Sequence, residues 1–150
     1  MTNNYSTGYL IIEDSENFVR IDIIGLNYPD AELDWDKNWI NCLISVKAGA
    51  FSGKFNADLM TFDFKKFQEE LKSLYKKLDG TANFTTLENQ LNIKITGDGI
   101  GHFNAKCNLM DNSSFGNELC WEIDFDQTQI PELLNQLEKI TAEFPVFVSP

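Results

Sequence analysis

Positive charge is what this sequence is short of. Lys and Arg number 12 against 23 Asp and Glu, which leaves −11 at neutral pH. Such a surface repels nucleic-acid backbone and anionic lipid, so neither is expected as a direct partner, and it suits a basic protein. Acidity kept for solubility alone would give the same balance. Histidine occurs once, at His102. The three cysteines, Cys42, Cys107 and Cys120, are an odd set without short spacings. They make no disulfide framework and no metal-ligand pattern, and read as reduced thiols in a cytoplasm. No apolar run approaches the roughly 20 residues that span a bilayer. The opening Met1-Thr2-Asn3-Asn4-Tyr5 lacks a basic segment followed by an apolar one, so no signal peptide is expected.

What is present is material for a core. Hydrophobic residues make up 43% of 150, with 12 Phe among them. That is too apolar for a disordered chain and fits one domain over residues 1–150. Met1 to about Gly8 is a candidate for disorder.

Period-two alternation dominates. Tyr9–Glu13 and Phe18–Ile24 read as strands around a turn at Asp14-Ser15-Glu16-Asn17, because Val19, Ile21 and Ile23 alternate with Arg20 and Asp22. Leu26 to Asn38 is a polar loop. A strand over Trp39–Ala48 then turns at Gly49-Ala50 into another, in which Phe51, Phe55, Ala57 and Leu59 oppose Ser52, Lys54, Asn56 and Asp58. A short strand near Ala82–Thr86 is followed by three more. In these, Leu91, Ile93 and Ile95, then Phe103, Ala105, Cys107 and Leu109, then Leu119, Trp121, Ile123 and Phe125 share a face. Two segments switch to helical spacing. Phe64, Phe67, Leu71, Leu74, Tyr75 and Leu78 mark a helix over about Phe62 to Leu78, with Thr61 as its cap and Gly80 in the left-handed position after it. Ile130, Leu133, Leu134, Leu137, Ile140 and Phe144 mark the last helix, from near Thr128 to Pro145. The expected architecture is α+β: a meandering antiparallel sheet of about six to eight strands with two amphipathic helices packed on one face.

Few residues invite chemistry. Gly97-Asp98-Gly99-Ile100-Gly101 suggests phosphate binding, but a dinucleotide fingerprint runs from strand to helix, and here a strand follows; a tight hairpin with positive φ at the glycines is expected. Asp30, Glu32, Asp34 and Asp36 alternate as calcium ligands do, yet the sixth position is Trp35 and the twelfth Asn41, where the motif requires a sharp turn and a bidentate Glu. The loop is therefore either simply solvated or a recognition patch for a basic partner, with Asp30, Glu32, Asp34, Trp35 and Asp36 as its residues and Trp35 as the aromatic anchor. His102, Glu122, Asp124 and Cys120 fall on the polar sheet face. They are the raw material for the alternative, a small enzyme or ligand-binding domain, although no nucleophile or base has a recognisable setting. A structural subunit is a third reading, since edge strands of an open sheet can pair two copies. No metal and no cofactor are expected.

The pair Asn38-Trp39, the turn Gly49-Ala50-Phe51-Ser52-Gly53, the stretch Leu91 to His102 with its Thr96-Gly97-Asp98-Gly99-Ile100-Gly101-His102, and the segment Asp126 to Leu134 running into Ala142-Glu143-Phe144-Pro145 resemble small bacterial WapI-like immunity proteins. The resemblance runs from about Ile21 to Val146. It implies a non-enzymatic inhibitor that binds and neutralises a cognate toxin, a basic nuclease domain in kind, and it fixes no catalytic or binding residue at any position of this chain.

Overall fold

The structure is a computed structural model and describes residues 8–148. Apart from Gly8, the N-terminal segment marked for disorder lies outside the described residues. Strands β1 (Tyr9–Glu13), β2 (Phe18–Leu26), β3 (Trp39–Ala48) and β4 (Phe51–Met60) form one antiparallel meander. A one-turn helix, α1 (Asp34–Lys37), lies in the β2–β3 connection that the sequence marks only as loop. Helix α2 (Thr61–Lys77) follows, then a second meander of β5 (Asp79–Phe84), β6 (Leu91–Asp98), β7 (His102–Met110) and β8 (Glu118–Asp126). A 3-10 turn over Gln127–Gln129 leads into α3 (Ile130–Glu143).

The α+β class and the antiparallel connectivity are as the alternation predicts. The eight strands divide into two sheets of four rather than one continuous sheet. The cause lies between β4 and β5: the seventeen residues of α2 follow β4 without a turn, so β5 starts a new sheet instead of pairing with β4. The helices are also distributed differently from the single shared face expected. Helix α2 packs along β5, α3 along β1, and the two helices touch each other. One hydrophobic cluster joins both sheets and both helices. Phe84 sits between Phe64 and Phe67 with ring centroids 5.1 and 5.6 Å away, and truncating a buried Phe of this kind costs about 3–5 kcal/mol.

Two details at the ends of α2 depart from the sequence reading. Thr61 is not the cap but the first helical residue, and its hydroxyl donates to Asn38. The free amide of Met60 instead donates to the Asp63 carboxylate at 3.0 Å. Burial pushes that carboxyl up to about 6, against the opposing pull of the Met60 amide and Lys66. At the other end Leu78 takes the left-handed cap position with φ 60°, and Gly80, two residues on, also has positive φ, at 112°. Gly97 then serves close approach. A Cβ there would stand 2.4 Å from the Leu78 carbonyl oxygen and 2.8 Å from the Phe103 ring. In the same hairpin Gly99 and Gly101 have positive φ, as expected.

The edges at β1, β5 and β8 are met by side chains from elsewhere. On β1, the Ile11 amide donates to Gln136 of α3 at 3.0 Å. On β5, the Asn83 amide donates to Glu70 of α2 at 3.0 Å. On β8, the Asp124 amide donates to Asp14, while Asn17 donates to the Glu122 carbonyl at 2.9 Å, which staples the β1–β2 turn of one sheet to the edge of the other.

Candidate functional site

The β2–β3 connection owes its shape to hydrogen bonds at both ends. The Asn27 amide donates to the Trp39 carbonyl at 2.9 Å and closes the loop, and the Asn27 side chain donates to Asp58 at 2.8 Å. Within it the Ala31 amide donates to Tyr28, and the Asp36 and Asn38 amides donate to Leu33 and Trp35, winding the single turn of α1. Asn38 is the anchor, only 2% exposed. Its side-chain oxygen accepts from the Thr61 hydroxyl at 2.6 Å and the Phe147 amide at 2.8 Å, and its amide nitrogen donates to the Phe147 carbonyl at 2.9 Å. One buried side chain therefore ties the loop to the start of α2 and to the C-terminal segment.

This geometry sorts the five predicted residues. Asp30, Glu32 and Asp36 line one concave groove of about 650 Å³ together with Tyr28 and Trp39. Asp34 and Trp35 are not among its walls. Asp34 pairs with Lys37 at 3.5 Å, and the Trp35 ring packs against Phe62 with centroids 5.2 Å apart, leaving Trp35 half exposed. The groove's aromatic members, Tyr28 and Trp39, were missed at the level of sequence. The signal available was that Tyr28 precedes Pro29 in a polar loop while Trp39 opens a strand on the polar side of its alternation.

Among the described residues, none donates a hydrogen bond to, or forms an ion pair with, the side chains of Asp30, Glu32 or Asp36. Nor do the described residues hold any cluster of three or more His, Cys, Asp or Glu able to bind a metal ion. The three acids are flanked by the aromatic rings of Tyr28 and Trp39.

The second set of candidates is arranged differently. His102, Glu122, Asp124 and Cys120 lie on the outer face of the β5–β8 sheet, all exposed. Across the ladder His102 stands opposite Asp126, Lys106 opposite Glu122, and Asn108 opposite Cys120. Asn104 donates to Asp124 at 2.8 Å, and Asn108 donates to Glu118 at 2.5 Å. His102 and Asp124 border one shallow depression while Cys120 and Glu122 border another. The Ile100 amide, with that of His102, holds the Asp98 carboxyl below its usual range, and the Thr128 hydroxyl and amide do the same for Asp126.

Comparison with known sequences gives one family match, immunity protein WapI-like, over residues 10–145. The chain belongs to the WapI-like immunity protein family. The match takes in β1, farther toward the N-terminus than the resemblance visible by eye, and stops beside Pro145. No curated protein matches the sequence. Among solved structures, MRP1/MRP2 of Trypanosoma bruciei is similar over 95% of this chain and 86% of that chain, at 10% identity and a TM-score of 0.51. WHY1 from Arabidopsis thaliana is similar over 97% and 88%, at 13% identity and a TM-score of 0.48. At such identities the first of these likenesses speaks for the fold of the family member alone. None of the described helices is long and apolar enough to cross a membrane.

Proposed function

We propose that this protein is a non-enzymatic inhibitor that binds a basic cognate toxin, a nuclease domain in kind, and that the groove of Asp30, Glu32 and Asp36 with Tyr28 and Trp39 is where a basic surface of the toxin docks. Membership of an immunity family supports the toxin-immunity role. The observation that carries the choice of surface is the set of three carboxylates in one concavity that have no partner among the described residues. A net charge of −11 extends the same sign over the molecule, which speeds encounter with a basic partner and opposes wrong ones. A nuclease fits because it must hold phosphate and so carries basic surface. The non-enzymatic reading is supported by the separation of His102 from Cys120 and by the hydrogen bonds that already occupy the neighbouring acids.

The test is co-expression with the protein encoded immediately upstream, followed by co-purification in moderate salt. The expected result is a complex that weakens steeply as salt rises. A neighbour that is not toxin-like, or a pair that does not co-purify, overturns the function. A complex that forms equally well with Asp30→Asn, Glu32→Gln and Asp36→Asn combined keeps the function and moves the contact elsewhere.

A further inference from the structure

The edges at β1, β5 and β8 each have an outward backbone group bonded within the strand by a side chain from another element, as described above. On β4 the one such bond among the described residues falls at the last residue. This strand is ten residues long, and Phe51 to Lys54 are exposed despite lying in a strand. Along its outer side the described residues supply a cap only at the end, where Met60 donates to Asp63. The two-residue turn Gly49-Ala50 makes Ala48 and Phe51 the closing pair, so the backbone groups of Ser52, Lys54, Asn56 and Asp58 face away from β3. A long open edge is a template for another strand, and natural sheets ordinarily blunt it.

We infer that this edge pairs with the same edge of a second copy of the chain, antiparallel and centred on Asn56. Charge selects that register. With Asn56 on the two-fold axis, Lys54 of each copy stands directly opposite Asp58 of the other, and Ser52 stands opposite Met60. Centring on Lys54 would set two ammonium groups face to face, which destabilises a cross-strand pair. Each copy carries −11, but Phe51 to Asp58 holds one Lys and one Asp, so the seam itself is neutral. The same axis brings Phe51, 68% exposed in the single chain, level with Thr61 of the second copy. That position is one residue from Phe62, whose ring packs on the exposed Trp35.

Sedimentation equilibrium on the full chain tests this. At about 0.1 mM, a level suited to small interfaces, the mass should be twice the 17.1 kDa of the chain. Lys54→Asp and Asp58→Lys each set like charges opposite one another at both ends of the seam and should weaken the dimer about tenfold. The double variant restores the opposed charges and should recover it. Asn56→Pro removes an outward amide at the centre, which an edge strand tolerates, and should leave a folded monomer by circular dichroism. A wild-type chain that stays monomeric overturns the proposal. So does a dimer that survives Asn56→Pro, or a double variant no tighter than the single ones. If Asn56→Pro does not fold, the charge swap alone decides.

Discussion

The molecule has two acid-rich surfaces, and they use their carboxylates in opposite ways. On the outer face of the β5–β8 sheet, Asp98, Glu118, Asp124 and Asp126 accept hydrogen bonds from neighbouring amides and side chains. In the β2–β3 groove, Asp30, Glu32 and Asp36 accept none among the described residues. Equal composition therefore does not mean equal availability. The first surface spends its charge on holding turns and ladders together. The second leaves its charge for something outside.

The sharpest way to break this contrast is to remove what shapes the groove without touching its charge. Asn38→Ala strands the buried Thr61 hydroxyl and the half-buried Phe147 backbone groups, all of which it now satisfies. A loss of about 2–3 kcal/mol in urea unfolding is expected, from one fully buried and two partly solvated unpaired groups. If instead the loss is below about 1 kcal/mol, the loop is not held through this residue.

Next in size is the charge itself. Neutralising Asp30, Glu32 and Asp36 together should weaken the toxin complex by about 100-fold in titration calorimetry, against under about twofold for Glu118→Gln with Asp124→Asn on the engaged face. Equal losses from both sets would erase the distinction between the two surfaces.

A smaller effect concerns Asp63, a buried acid inside the fold rather than on either surface. Its folded value, about 6, lies above the ordinary 3.8. Between these values the folded state holds a proton that the unfolded chain gives up, so this residue's contribution to stability falls as pH rises through that window. The drop is on the order of 1–3 kcal/mol. Asp63→Asn keeps an acceptor for the Met60 amide and should flatten the dependence in thermal melts between pH 4 and pH 6; an unchanged slope would count against the assignment. Smallest of all, and opposite in sign, Asp98→Asn should remove part of the stability lost below the ordinary carboxylate range. Its folded value is depressed by the Ile100 and His102 amides, so its contribution is present at neutral pH and disappears on acidification.

Much of the fold was legible because alternation is local. Ile40, Cys42, Ile44 and Val46 announce the buried side of β3, and Leu91, Ile93 and Ile95 that of β6, and all are buried. The division into two sheets was not legible, since nothing in the strand patterns states which edges meet. Gly80 has the positive φ its residue type suggests, but the residue that caps the helix is Leu78, which keeps its side chain against the core. The acidic loop was found from composition. Which of its acids converge was not, because that depends on the turn of α1 and on Asn38 reaching Phe147, 109 positions away. Sequence spacing placed Asp34 and Trp35 with the others; the one-turn helix swings them off the groove.

The bond from the Phe147 amide to Asn38 gives the protein a built-in gauge. That proton lies outside the groove, yet its hidden partner is the residue on which the loop hangs. Its exchange with deuterated solvent should track how often the loop lets go, and should slow when a bound protein clamps the loop, even where that protein never reaches Phe147.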